Sequence, residues 1–385
     1  HGYAAPDLAS GWEVNNDATI FTFRLRPNLV WSDGSPVKSS DLEFGIPDVE
    51  ESYPDGQTIQ FKLKDSFSAL PSILVKPAFK KGNTLLGVGP YKVVKIERSV
   101  IFITKIKLEA VSKDLPGITL RFYPNEKIAL TAFSLGEVQS LIGVTNLNDF
   151  QNHPQVKTLQ IKNYSKIVSI LYNVEDPVLG NRSIRQTLSY GAPSVKGEIE
   201  AKTPIPPNSW AFTDSVNDYL DNPDSAKQAL TRANASVKPD DLQKPIILTV
   251  TPQLVSLGQQ ITKAWESLGL KVALRTESGI PQNFQALLIT QTIPADPDQY
   301  SLWHSTQTKT NLTKYASPRV DKDLEDGRKA TSEEERKNKY LDFQKALLED
   351  SPATFLYFPK INVVYLKKAS DKIELVLPLQ LPEIK

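Results

Sequence analysis

Cysteine and methionine are both absent from the 385 residues. Without cysteine there are no disulfides, thiolate metal ligands or cysteine nucleophiles, which suits a protein exported and folded without redox help. The missing methionine is less usual, since a core of this size normally uses some as a flexible gap filler. An excess of one charge sign is lacking too: 45 basic and 44 acidic side chains are spread along the chain and leave +1. That balance offers no electrostatic footprint for nucleic acid or for an anionic membrane. No apolar run reaches the length of a membrane span, and no charged-then-apolar leader opens the chain, which starts at His1 and reads as a processed product. Histidine is scarce, with only His1, His153 and His304, so the commonest acid–base residue is nearly missing. Neither a Gly-x-Ser-x-Gly elbow nor a His-Glu-x-x-His helix occurs.

What is present is ordinary for a globular protein, with 40% hydrophobic and 23% charged residues, and the length implies two or three domains. From Ile20 to Arg26 apolar and polar residues alternate as in a half-buried strand, Pro27 ends the ladder, and Asp33-Gly34 and Asp55-Gly56 supply turns. Gly87-Val88-Gly89 runs into Pro90, which removes a donor, so it is not a phosphate loop, and Tyr91 to Ile96 reads as a buried strand. Ile118 to Phe122 alternates again, and Glu126 to Leu135 reads as a helix stopped by Gly136. Lys166 to Val174 is an apolar strand followed by a helix at Ser183 to Tyr190. Asn222-Pro223 caps a further helix.

The later half alternates helix and strand. A strand at Ile246 to Val250 precedes Leu254, Leu257, Ile261, Trp265 and Leu268 at helical spacing, Gly269 stops the helix, and Lys271 to Leu274 completes a β-α-β unit. Ser332 to Glu335 forms a capping box for a helix carrying Tyr340, Phe343 and Leu347 inward, with return strands at Ala353 to Phe358 and Val363 to Leu366. This half is α/β.

The opening stretch, Leu8-Ala-Ser-Gly-Trp12 through Phe21 to Pro27, Trp31-Ser-Asp-Gly-Ser-Pro36 and Asp41 to Phe44, resembles the signature of the extracellular solute-binding proteins of the oligopeptide and dipeptide transport family. Weaker likenesses lie at Gly87 to Tyr91, Ser134 to Val138, Ser183 to Tyr190, Pro204 to Trp210 and Asp296-Pro-Asp298. The family's N-terminal strand before the opening signature is missing, and spacing shortens at Gly45-Ile46 and in Gly82 to Leu85. The resemblance implies a bilobal α/β fold of the periplasmic-binding-protein type II kind, with two hinge crossings and an extra small β-rich domain. The expected parts are a β-rich domain at 1–85, a first lobe at 86–180 with 355–385, and a second α/β lobe at 181–354. It further implies an extracytoplasmic monomer, tethered at most by a lipid anchor, that captures a peptide or related solute between lobes for an ABC permease, without chemistry, cofactor or metal.

In the family the strand edge that pairs with ligand precedes the Asp-Pro turn, which places it at Ile289, Thr290 and Gln291, with Tyr300 and Trp303 as aromatic wall candidates or core residues. Peptide binders of the family commonly carry an aspartate three residues before the position of Asp296, for the ligand's free amine. Ile293 stands there. A buried amine needs a charged partner, so the departure points to a blocked or longer peptide, or to another solute such as a sugar, an opine-like compound or a metal chelate. Two further readings remain: a hydrolase or metal site using Asp296, Asp298 and His304, and a receptor that signals without transport. Against the first, Asp-Pro-Asp is more often a rigid turn with solvated carboxylates.

Overall fold

The computed structural model describes residues 3–216 and 218–377; His1 and the 378–385 end of the expected first lobe lie outside them. By contacts the chain divides into two compact units. One holds Ala5–Asp65, Ile73–Lys162 and the chain from Lys360 onward; the other holds Ser66–Ser72 and Asn163–Pro359, with Tyr3 and Ala4. The sequence boundaries at 85/86 and 180/181 fall elsewhere: Lys166–Tyr172 shares a sheet with Ile246–Val250 and Ala286–Thr292.

In the first unit, alternation builds a four-stranded sheet in the order Ala9–Val14, Ile20–Leu25, Thr58–Leu63, Val49–Asp55. Phe21, Phe23 and Leu25 are buried while Arg24 is exposed, the pattern of a strand covered on one face. Asp55 closes the hairpin by accepting from the Gln57 N–H at 2.7 Å and the Thr58 hydroxyl at 2.9 Å. Pro54 falls at a register shift on the edge strand, where a missing N–H costs no ladder bond. A second sheet runs Ser140–Ile142, Lys360–Leu366, Val156–Lys162, and the helix Glu126–Ser134, capped by Asn125, sends Phe133 into the core formed with Leu141, Val156 and Val364.

A third sheet, Tyr91–Ser99, Phe102–Ala110 and Ile118–Arg121, corrects the sequence reading. The strand at Tyr91 is present, but no residue of the three strands is buried. Apolar periodicity reports strand conformation; burial needs a covering element, and none here covers either face deeply enough.

The second unit is built on a six-stranded sheet in the order Ile199–Glu200, Ala353–Phe358, Lys166–Tyr172, Ala286–Thr292, Ile246–Val250, Val272–Thr276. Ile246–Val250 pairs parallel with both Val272–Thr276 and Ala286–Thr292, as the β-α-β reading requires. The crossover helix Val255–Ser267 comes so close at Gly258 that an added Cβ would lie 2.7 Å from Val250 Cγ1. Lys166–Tyr172 is apolar on both faces: Ile167 and Leu171 join one core, with Tyr340 and Phe343, and Val168, Ile170 and Tyr172 the other, with Ile261 and Trp265.

Helix Glu333–Asp350 starts at Ser332, whose hydroxyl accepts from the Glu335 N–H, and stops at left-handed Ser351 before Pro352. Buried Arg185 donates to the carbonyls of Leu179, Gly180, Asp350 and Ser351 at 2.6–3.0 Å, tying helix Arg182–Tyr190 to that C-terminus.

Asp323, on helix Pro318–Lys329, is buried with one carboxylate oxygen unpartnered. Burial, reinforced by Asp342, raises its pKa. The folded chain therefore binds this proton more tightly than the unfolded chain, and stability falls as pH rises from the ordinary carboxylate range through the raised value. Asp323→Asn should raise the urea midpoint at neutral pH, with the gain shrinking on acidification. A midpoint difference constant with pH would show the carboxylate to be solvated.

Candidate functional site

Strand Ala286–Thr292 pairs with Lys166–Tyr172 along its whole length, from Tyr172↔Ala286 to Lys166↔Thr292. On its other side the register with Ile246–Val250 ends at Val250↔Leu288. The Ile293 N–H donates to the Ser165 carbonyl at 2.9 Å, so by the two-residue alternation of a strand Ile289 and Gln291 turn their backbone groups the same way, toward Lys166–Tyr172. Thr290 turns its N–H and carbonyl to the opposite side, beyond the end of the parallel partner. Thr290 is exposed, Gln291 half-buried, and Ile289 buried in the core.

Ile293 (3% exposed) and Trp303 belong to the apolar core of this unit. The Trp303 indole N–H donates to Gln299 Oε1 at 2.9 Å, its ring meets Phe355 edge-on, and Gln299 Nε2 donates to the Pro204 carbonyl at 2.7 Å. Tyr300 is half-buried: its ring lies 3.9 Å from the Arg328 guanidinium and stacks on His304 at 4.0 Å, held between the two. Phe67, from the segment Ser66–Ser72, packs against the same guanidinium at 4.9 Å.

The Asp-Pro-Asp turn is rigid as expected: the Asp298 N–H donates to Asp296 Oδ1 and the Tyr300 N–H to Asp298 Oδ1, both at 3.0 Å. Its carboxylates are not solvated, which corrects the sequence reading. Both are buried, and each is met by an arginine, Asp296 by Arg336 Nη2 at 2.7 Å and Asp298 by Arg328 Nε at 2.9 Å. Burial raises the Asp298 pKa against the opposing pull of Arg328. Burial pulls Arg336 down, but the adjacent Asp296 carboxylate outweighs it and leaves the guanidinium raised. Arg336 also packs against Trp210 and Tyr340, and Tyr3 stacks on Trp210 while its hydroxyl donates to Glu333.

His304 is buried, with Nδ1 at 2.8 Å from the Thr306 hydroxyl and Nε2 at 3.2 Å from Glu325. With both ring nitrogens and both aspartates engaged, the three residues of the hydrolase reading do not form a nucleophile–base pair. Among the described residues no group of three or more His, Cys, Asp or Glu is placed to hold a metal ion. A cavity of about 20 Å³, lined by Ser189, Lys202, Tyr219 and Thr354, has room for a single water. Arg328, Arg336 and Gln299 were not singled out by sequence, and no local spacing marks them.

An open strand edge beside a locked turn can pair with the backbone of an extended ligand, the chemistry of binding by strand addition. The profile of the bacterial extracellular solute-binding proteins, family 5 Middle, matches residues 4–49 and 46–312, two stretches that overlap at 46–49. The chain belongs to this family. It is 21% identical over 392 residues to the dipeptide-binding protein of Escherichia coli (strain K12), covering 77% of this chain and 72% of that protein. It is 24% identical over 420 residues to the oligopeptide-binding protein AppA of Bacillus subtilis (strain 168), covering 91% and 73%. Among solved structures, NikZ from Campylobacter jejuni in complex with Ni(L-His) matches with a TM-score of 0.76 at 21% identity, over 94% of this chain and 85% of that one, a likeness of fold.

Proposed function

We propose that this solute-binding protein captures peptides outside the cytoplasm and delivers them to an ABC permease, performing no chemistry on them. The observation that carries the reading is the strand edge left open beyond Leu288, where Thr290 presents one N–H and one carbonyl. An extended peptide satisfies both at once, and such pairing is blind to side chains, so it suits a receptor for varied sequences. Ile289 and Gln291 hold the strand in register through Lys166–Tyr172, whereas Tyr300, its ring covered by Arg328 on one face and His304 on the other, steadies the turn beside the edge and leaves no ring face for a ligand. Trp303 and Ile293 support this layer from the core. The names of the dipeptide- and oligopeptide-binding relatives favour the same ligand class.

Titration calorimetry with short alanine peptides tests it. Thr290→Pro removes the outward N–H at a position where an edge strand tolerates proline. Affinity should fall about fivefold to tenfold, the worth of one net hydrogen bond, with the urea midpoint little changed. Binding of Ni–histidine, with no heat from any peptide, would transfer the reading to a metal chelate.

A further inference from the structure

The hairpin Tyr91–Ser99/Phe102–Ala110 ends in three consecutive apolar residues, Val100, Ile101 and Phe102, which are 92%, 75% and 70% exposed. Val100 has φ +57°, left-handed backbone where a turn ordinarily takes glycine or asparagine and where a β-branched residue is strained. Exposed apolar surface and a strained turn both disfavour the protein in isolation, and neither is offset by a contact within the hairpin. Behind the tip, five basic side chains (Lys92, Lys95, Arg98, Lys105, Lys107) stand against two acidic ones (Glu97, Glu109), an excess of three positive charges that the whole-chain balance of +1 hides. Each glutamate is shared by two lysines, Glu97 by Lys95 and Lys105, and Glu109 by Lys92 and Lys107, so each cluster keeps a net positive charge.

We propose that this hairpin is a finger that seats its Val100-Ile101-Phe102 tip in an anionic lipid surface, with the basic side chains nearest the tip, Lys95, Arg98 and Lys105, reaching toward the headgroups. A convex apolar tip needs no shaped groove when its acceptor is a fluid interface, and the positive charge directly behind it complements anionic lipid. At nine residues per strand the hairpin is about 30 Å long, enough to hold its tip away from its base.

Vesicle flotation of the full chain tests this, comparing vesicles of equal parts phosphatidylglycerol and phosphatidylcholine with pure phosphatidylcholine. The chain should float with the anionic vesicles. Binding should drop about tenfold in an Ile101→Ser/Phe102→Ser variant, and by a similar factor in a Lys95→Gln/Arg98→Gln/Lys105→Gln variant or on raising salt from about 0.1 M to about 0.5 M. Lys95, Arg98, Phe102 and Lys105 lie on strands without buried residues and Ile101 is exposed in the turn between them, so melting of each variant should match the parent. No flotation with anionic vesicles, or flotation unchanged by the tip substitutions, would overturn the proposal. So would a parent dimer that the tip variant abolishes in sedimentation velocity without vesicle binding, which would assign the tip to a second copy.

Discussion

Replacing Arg336 with leucine should destabilise the unit containing Asn163–Pro359 by about 3–5 kcal/mol, the cost of leaving a buried charge without its partner. Asp296 would lose its 2.7 Å contact and keep a carboxylate that water cannot reach. Packing is lost as well, since the guanidinium lies beside the rings of Trp210 and Tyr340 and its Nε donates to the Gly327 carbonyl at 3.2 Å. A double variant, Arg336→Leu with Asp296→Leu, should recover much of the loss, because apolar replacement of a whole buried pair is often neutral. Urea unfolding followed by tryptophan fluorescence measures both, since Trp210, Trp265 and Trp303 all lie in this unit. A single-variant cost below about 1 kcal/mol, the range of exposed pairs, would show that solvent screens the contact.

The same pair marks where sequence reading stops. The crossover helix at Val255–Ser267, the parallel strands it joins and the Ser332 cap were legible because spacing, caps and stops lie within a few residues of one another. The conformation of Asp296-Pro297-Asp298 was legible for the same reason. Its electrostatics were not: the arginines that bury the carboxylates lie 30 and 40 residues away on two other helices. No periodicity links such positions, and an Asp-Pro-Asp turn in isolation belongs in water. Tyr91–Ser99 failed in the opposite sense, its apolar period giving the strand correctly and the burial wrongly. The resemblance put a pairing edge at Ile289, Thr290 and Gln291, of which only Thr290 turns its backbone away from Lys166–Tyr172; composition and spacing alone do not say which side of a strand lacks a neighbour.

Ile293→Asp separates two roles for one position. Where a ligand's free amine meets residue 293, aspartate there should create a preference for free over acetylated peptides. Yet the Ile293 side chain sits in the core that includes Leu287, Trp303 and Phe355, while its N–H is taken by Ser165. A carboxylate placed among these apolar side chains buries a charge, so the substitution should cost about 3–5 kcal/mol of stability and bring no new selectivity. In the unsubstituted protein, acetylating a peptide's N-terminus should change affinity by less than about twofold, because residue 293 faces the core and the open edge at Thr290 pairs with backbone groups and not with the terminal charge. Paired calorimetry with free and acetylated peptides, run beside urea unfolding of the variant, reads both effects. A tenfold loss on acetylation would mean that another acid pairs with the amine. A stable Ile293→Asp protein that favours free peptides would put the side chain against the ligand instead of in the core.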